Sequence, residues 1–277
     1  MNGFAAVFII PFSIFVFMFL IVPVITMLLD SFQKANTGFT FANYQSILKN
    51  GFYHQAFANS INISLISSLI AMIMAIFATY SLTKLPQSIQ NKMINFANLT
   101  SNFAGIPLAF AFIVLFGNSG LFILLFEKMG MHSLSSFNLY SLSGLVLIYI
   151  YFQLPLAVML LFPIYNGIQY QWKEAAAILG ASTVQFWLKI GVPIILPSLA
   201  GTFSILFANA MGAYASAFAL TGSSYNLLPV RIGALVSGDV FAQPELASAL
   251  ALSLGAILVA AMLLNEWLTR KVRRDLQ

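Results

Sequence analysis

Long apolar runs separated by a few charged residues dominate the pattern along this chain. Charged residues are missing from 1–29, 50–83, 93–126, 129–172, 190–230 and 246–265. Each run reaches the roughly 20 residues that a helix needs to cross a bilayer. The runs show no apolar–polar alternation, which excludes a membrane β-barrel, so the backbone groups in lipid have to be satisfied within helices. The pattern therefore predicts an all-α membrane protein.

Hydropathy and helix-breaking residues divide these runs into six transmembrane helices. We expect them near 4–29, 57–82, 93–116, 141–165, 194–220 and 246–269. The first has neither the basic n-region nor the small-residue cleavage site of a signal peptide, so we expect it to be retained as a helix. Prolines inside the crossings predict kinks at Pro11, Pro23, Pro107, Pro155 and Pro163. No linker or repeat interrupts the chain, and 1–277 is predicted to form a single transmembrane domain.

Composition sharpens the membrane prediction. Hydrophobic residues make up 60% of the chain and charged residues only 7%, against about a quarter charged in soluble domains. The net charge is +5, but four of the twelve basic residues lie in the last eight positions. That clustering is typical of a membrane flank rather than of a nucleic-acid surface. The chain has no cysteine, which excludes disulfides and thiolate metal sites.

The short loops indicate an orientation, because cytoplasmic loops carry an excess of Lys and Arg. A cytoplasmic N-terminus leaves four basic residues outside: Lys34, Lys49, Lys128 and Arg231. The inner segments then hold eight: Lys84, Lys92, Lys173, Lys189, Arg270, Lys271, Arg273 and Arg274. The bias predicts a multi-pass protein with both termini in the cytoplasm.

The loop at about 167–197 is long for a connection between two crossings, and it has its own helix signals. Residues 172–179 are rich in helix formers, and Gly180 is suited to the left-handed conformation that ends a helix. Ser182 and Gln185 have the spacing of a capping box, which predicts that a second helix begins there. The physics alone leaves open a helical hairpin at the membrane surface that merely joins two crossings.

The residues of this loop resemble the EAA loop of binding-protein-dependent ABC transporter permeases. The matching positions are Glu174, Ala175, Ala176, Gly180, Ile190 and Pro193, with Val192 where leucine is usual. The resemblance implies a type I ABC importer permease architecture (MetI-like) with a cytoplasmic coupling helix. These six residues would then couple the permease to ATP hydrolysis, while helix capping and packing remain the plainer explanation, above all for Ile190 and Pro193.

The same resemblance implies a set of partners in the cytoplasmic (inner) membrane of a prokaryote. We expect a second permease subunit, homologous or identical, two ABC ATPase subunits and an extracytoplasmic solute-binding protein, in contact with membrane lipid and without nucleic acid. The chain contains no phosphate-binding P-loop sequence. We therefore expect no cofactor in this chain, with ATP and Mg²⁺ bound by the partner ATPase subunits.

Two further stretches look like the spermidine/putrescine branch of these permeases. They are 39–48, before the second crossing, and 81–86, directly after it. Sulfate, iron, thiamine and phosphonate permeases share much of this architecture. The expected function is import of a small polar solute, polyamine-like by this resemblance, through alternating access.

Two rival functions are weaker. An intramembrane enzyme is disfavoured because the only histidines, His54 and His132, are isolated in predicted external loops, whereas a zinc site needs several ligands. An ion-coupled secondary transporter usually has ionisable residues inside the bilayer, and here Glu266 lies only a turn from the inner end. Sodium-coupled carriers can use neutral groups, so this second rival stays open.

Neutral polar residues at membrane depth are candidates for a translocation path. We select Asn62, Asn102, Asn209, Tyr214 and Ser216, although hydrogen bonding between helices is the plainer role for each. The external loop 221–244, with Arg231 and Asp239, either faces the binding protein or is a solvated connection.

Overall fold

The computed structural model describes residues 3–33, 38–168, 170–238 and 242–275, so Lys34 and Asp239 lie outside the described residues. In chain order its helices are α1 (Gly3–Val16), a π-helical segment (Phe17–Ile21), α2 (Val22–Ser31), α3 (Ala42–Lys49), α4 (Gly51–Leu82), α5 (Gln87–Ser101), α6 (Ile106–Phe116), α7 (Leu121–Lys128) and α8 (His132–Ser135). They continue with α9 (Leu142–Asn166), α10 (Tyr170–Ile178), α11 (Thr183–Phe186), a second π-helical segment (Trp187–Gly191), α12 (Val192–Met211), α13 (Tyr214–Thr221), α14 (Leu228–Ser237) and α15 (Pro244–Asp275).

Six stretches of the described chain are long and apolar enough to cross a membrane, as predicted. They are Ile9–Ser31, Gly51–Leu82, Ile106–Lys128, Leu142–Asn166, Thr183–Met211 and Pro244–Trp267. Many of their large apolar side chains are exposed, among them Phe19, Phe77 and Leu263. Surfaces of this kind are stable against lipid tails and not against water. The all-α, six-span fold class is confirmed.

The third and fifth crossings differ from the sequence prediction. The helix expected over 93–116 is broken after Ser101, and the span is Ile106–Lys128 instead. Pro107 has no amide, and its ring would collide with the carbonyl of residue 103 in a continuous helix. The helix therefore restarts with Pro107 in its first turn. The crossing expected over 194–220 begins at Thr183 and is broken after Met211, so its boundaries were also wrong.

Two prolines are accommodated by the same local device. The π-helical segments Phe17–Ile21 and Trp187–Gly191 each end two residues before a proline, Pro23 and Pro193 respectively. A wider π turn gives the proline ring room against the preceding turn. Pro11, Pro155 and Pro163 lie inside helices that continue through them.

The contacts divide the described chain into two compact units. The first comprises 1–58 and 226–257. Its core joins α3, the start of α4, α14 and the first part of α15, through Ile47, Leu228, Leu246, Ala249 and Leu250.

The second unit comprises 59–225 and 258–277, and α9 is its central helix. A row of small polar residues on α4 is buried: Ser60, Ser64, Ser67, Ser68 and Thr79. Gln153 of α9 is fully buried, its amide donates to Ser67 Oγ at 2.9 Å, and its carbonyl oxygen accepts from Ser68 Oγ at 2.8 Å. Small residues let the two helices approach closely, and these bonds fix their register in an apolar environment.

Candidate functional site

The loop between α9 and α12 has the local structure that its sequence predicts. α10 ends at Ile178, and the chain turns at Gly180, which has φ +80°. The Gly180 amide donates to Ala177 O at 3.0 Å and the Ala181 amide to Ala176 O at 2.9 Å. This pair of bonds is a Schellman C-cap, which requires the left-handed conformation that glycine adopts without strain.

The second helix of the loop begins with the predicted capping box. The Gln185 amide donates to Ser182 Oγ at 3.2 Å, and the Ser182 amide donates to Gln185 Oε1 at 2.8 Å. Because both ends of the turn are capped, residues 179–182 form a defined corner and not a loose linker.

The candidate coupling residues occupy different environments. Glu174 and Ala175 are exposed on α10, whereas Ala176 is buried. Ile190 is half-buried in the π-helical segment, and Pro193 is half-buried in the first turn of α12. The structure therefore brings Glu174, Ala175 and Gly180 to one exposed corner, and it places Ile190 and Pro193 at the base of the fifth span.

Two apolar side chains at this corner are the most exposed of the large hydrophobic residues described. Ile178 is 86% and Leu179 is 87% exposed, and both lie between the spans Leu142–Asn166 and Thr183–Met211. Exposed apolar residues outside the membrane spans indicate a surface that contacts another protein or the membrane surface. In the sequence these two residues were interpreted only as helix formers, although an apolar pair directly before the capping glycine is visible there.

Trp187 packs against the backbone of the π-helical segment. A Cβ atom on Gly191 would overlap the Trp187 ring, so glycine is required there for close approach. Trp187 also contacts the rings of Tyr80 at 5.4 Å, Tyr165 at 6.0 Å and Phe186 at 5.8 Å. This aromatic cluster joins the base of the fifth span to the ends of the second and fourth.

The two helix breaks of the second unit meet at one place, which we call the broken-helix junction: 102–105 and 212–216. The Gly105 amide donates to Ser216 Oγ at 2.9 Å, and Ser216 Oγ lies 3.3 Å from Gly105 O. Ala213 forms a tight turn in which the Tyr214 amide donates to Gly212 O at 2.8 Å. The Tyr149 hydroxyl donates to Ala213 O at 3.0 Å. Side chains thus satisfy backbone groups that the breaks leave free.

Non-helical backbone at membrane depth is tolerated only where protein buries it or where it lines a water-filled cavity. Transporters commonly place such breaks at their solute path. Asn102 and Tyr214 are exposed within the junction, and Asn209 is exposed shortly before its second segment. The Tyr214 ring stacks on Phe218 with 5.3 Å between the ring centres. The broken-helix junction lies where the spans Ile106–Lys128 and Thr183–Met211 begin and end respectively, and it is the second candidate functional site.

The five candidate path residues are not equivalent. Ser216 is buried, and it holds the junction together through Gly105. The Asn102 amide donates to Asn98 O of its own helix at 2.8 Å. Asn62 lies on the exposed side of α4, away from the buried serine row. Asn209 and Tyr214 flank the break after Met211 with exposed side chains. A place in the path stays a prediction for all five.

Replacing Ser216 by alanine is expected to destabilise the junction. The Gly105 amide would lose its acceptor, and a buried unsatisfied donor costs about 1–3 kcal/mol. We expect a lower midpoint of thermal unfolding in detergent. Ser253→Ala is the matched control, because the Ser253 hydroxyl bonds only to Ala249 O of its own helix, at 2.8 Å. Equal unfolding midpoints for the two variants would contradict this role for Ser216.

The predicted external loop is partly helical, since α14 occupies Leu228–Ser237. Arg231 Nε donates to Asn226 Oδ1 at 2.8 Å, and its guanidinium lies 4.7 Å from the centre of the Phe52 ring. The Asn226 amide in turn donates to Phe52 O at 2.7 Å. Burial lowers the pKa of the Arg231 guanidinium. Arg231 is therefore an internal contact of the first unit and not a solvated loop residue.

Known transport permeases are similar to this chain in sequence, although no protein-family model matches it. The trehalose transport system permease SugB of Mycobacterium tuberculosis is 28% identical, over 74% of this chain and 69% of that protein. The spermidine/putrescine permease PotC of Haemophilus influenzae is 26% identical, over 94% of this chain and 95% of that protein. A probable sulfate permease, cysT of Prototheca wickerhamii, is 29% identical over 58% of this chain and 61% of that protein. These relatives are transport permeases and not enzymes.

The solved structures show the same fold. A bacterial alginate ABC transporter, in complex with an alginate-bound periplasmic protein, contains a chain that matches with a TM-score of 0.77 at 18% identity. The match covers 97% of this chain and 94% of that chain. A second structure of a bacterial alginate importer matches with a TM-score of 0.74 at 16% identity, and the match covers 97% of this chain and 95% of that chain. The predicted resemblance in fold is confirmed.

Proposed function

We propose that this ABC importer permease subunit, a multi-pass protein of the inner membrane, forms half of a translocation path for a small polar solute. The other half would be a second permease, homologous or identical. The span Ile9–Ser31 has none of its most apolar window buried in the described structure, which leaves that surface available to lipid or to this second subunit. An extracytoplasmic binding protein would deliver the solute, as the periplasmic protein in the alginate complex suggests.

The capped corner around Gly180 carries this proposal. It combines an exposed carboxylate, Glu174, with two exposed apolar residues, Ile178 and Leu179, outside the membrane spans. A rigid corner of this composition suits the cleft of an ATPase subunit, because the apolar pair can be buried and the carboxylate can accept a charged hydrogen bond. The coupling role of Glu174, Ala175, Ala176, Gly180, Ile190 and Pro193 is part of the proposal.

Transport would follow alternating access. ATP and Mg²⁺ bind to two partner ATPase subunits, and their closure moves the corner around Gly180. α11, the π-helical segment and α12 run without interruption over Thr183–Met211, so one continuous element connects the corner to the broken-helix junction. This arrangement requires the corner, and with it both chain termini, to lie in the cytoplasm.

Polyamines are the first solute class to test. The PotC relative matches nearly the whole chain, and the junction offers groups that attract an organic cation. The stacked rings of Tyr214 and Phe218 are both partly exposed, and aromatic faces bind ammonium groups through cation–π attraction.

Removing the Tyr214 ring is expected to weaken polyamine uptake. Loss of one cation–π contact costs about 1–2 kcal/mol, so we expect Tyr214→Ala to raise the apparent KM roughly tenfold. Tyr214→Phe retains the aromatic face and is expected to keep most of the affinity. The measurement is uptake of labelled putrescine and spermidine by cells that carry each variant. An apparent KM of Tyr214→Ala equal to that of wild type would show that Tyr214 does not contact the solute.

A neutral disaccharide is the second candidate. The acidic residues of the six spans are Asp30, Glu127, Glu245 and Glu266, and each lies one residue from the end of its span. A path without a carboxylate at depth also suits an uncharged solute, and the trehalose permease SugB is a relative. Uptake of labelled trehalose in the same cells distinguishes the two: transport of trehalose without polyamine transport would favour the sugar.

A further inference from the structure

A basic pocket and an apolar groove lie side by side where three spans end. The lysine pocket, of about 370 Å³, is lined by residues that include Thr83, Lys84, Asn166, Lys173 and Phe186. The apolar groove, of about 380 Å³, is lined by residues that include Ile76, Phe77, Val192, Ile195 and Leu199. Tyr80, Tyr165 and Trp187 line both cavities. The two form one amphipathic recess on the second unit.

The position of the recess matches the boundary of a membrane. Lys84 follows the span Gly51–Leu82, Asn166 ends the span Leu142–Asn166, and Phe186 lies near the start of Thr183–Met211. The lysine pocket is therefore at the polar ends of three spans. The apolar groove extends the other way, along α4 at Ile76 and along α12 at Leu199.

The charges of the recess favour a negative ligand. Lys84 and Lys173 are exposed, and no acidic residue is among the described residues that line the pocket or the groove. Lys84 Nζ lies 4.0 Å from the centre of the Tyr80 ring, which holds the ammonium at the mouth of the pocket. Two ammonium groups at a headgroup boundary attract the phosphate of an anionic lipid, and an acyl chain would fill the apolar groove.

We propose that this recess binds one anionic phospholipid, with its phosphodiester between Lys84 and Lys173 and an acyl chain against Trp187. The ligand would touch both elements of the coupling loop, because Lys173 precedes Glu174 on α10 and Trp187 begins the π-helical segment. The lipid would thereby hold α10 against the base of the fifth span. Its effect on transport rests on the proposed function, but its binding does not.

Trp187 supplies a direct test of binding. The chain has three tryptophans, and Trp172→Phe with Trp267→Phe leaves Trp187 as the only one. This full-length variant is placed in phosphatidylcholine nanodiscs that contain a small fraction of either brominated phosphatidylglycerol or brominated phosphatidylcholine, since bromine quenches tryptophan at contact. We expect brominated phosphatidylglycerol to quench Trp187 at a roughly tenfold lower fraction.

Lys84→Gln with Lys173→Gln is expected to abolish that preference. Lys92→Gln with Lys189→Gln is the matched control, because both lysines are exposed, lie on the same predicted membrane face and are not among the residues lining the recess. Equal quenching by the two lipids in wild type, or equal loss of preference in both double variants, would overturn the proposal. So would the absence of quenching by either lipid, since protein would then cover the groove. None of these readouts requires transport, so a failure of the proposed function would be seen separately.

Discussion

Replacing Gly180 by proline is expected to abolish solute uptake while the chain still inserts into the membrane. Gly180 has φ +80° and donates its amide to Ala177 O at 3.0 Å. Proline fixes φ near −65° and has no amide, so it can neither form the corner nor make that bond. The corner would lose its shape, and movement of the ATPase subunits would no longer be transmitted to α12.

A series of substitutions at Gly180 shows whether the loss of uptake follows from the left-handed conformation of this residue. Asparagine tolerates left-handed φ, so Gly180→Asn is expected to keep most of the uptake. Alanine in that conformation costs about 1–2 kcal/mol, so Gly180→Ala is expected to give an uptake rate between those of wild type and Gly180→Pro. Gly201→Ala is the control, because Gly201 is in helix α12 with open space around its Cβ position, and it is expected to transport normally. Uptake and ATPase stimulation are measured for all four. Normal coupling in Gly180→Pro would refute the role of the corner.

Changing the exposed face of α10 is expected to disconnect the permease from its ATPase without unfolding it. Ile178→Asp places a charge where an apolar side chain would be buried by the partner, and loss of such a contact costs about 2 kcal/mol or more, or about thirtyfold in affinity. Glu174→Ala removes the carboxylate that would accept a charged hydrogen bond. We expect both variants to lose uptake and to release the ATPase subunits during purification in mild detergent.

The side chains concerned are exposed in this chain, so the free energy of unfolding should not change. Glu127→Ala is a matched control for Glu174, because Glu127 is an exposed carboxylate outside the loop. Leu134→Asp is the control for Ile178, since Leu134 is also an exposed apolar residue outside the spans but lies on α8, far from the loop in sequence. Retention of the ATPase subunits by Ile178→Asp would show that this face is not the docking surface.

Local signals explain what the sequence predicted well. The capping box at Ser182 and the C-cap at Gly180 depend on residues within one or two turns of each other. Their geometry is therefore encoded in a short stretch of sequence. The apolar run lengths predicted the six spans in the same way, because the thickness of the bilayer fixes the length of a helix.

The helix breaks could not be located by such signals. The bond between Gly105 and Ser216 joins residues 111 positions apart, and nothing in either stretch identifies its partner. Pro107 was visible, but it was assigned a kink, and a break requires that other side chains satisfy the free backbone groups. Gln153 was likewise recognisable as polar at depth, whereas its bonds to Ser67 and Ser68 follow from packing between helices.

Import driven by partner ATPase subunits is tested most directly by solute uptake into proteoliposomes that contain the purified permease pair, with and without those subunits. The binding protein and its solute are supplied outside, and ATP with Mg²⁺ is enclosed inside. ATP-driven import predicts uptake only when the ATPase subunits and ATP are both present, and none when the chain carries Gly180→Pro. Uptake that persists without any ATPase subunit would contradict it and would identify the chain as a secondary transporter.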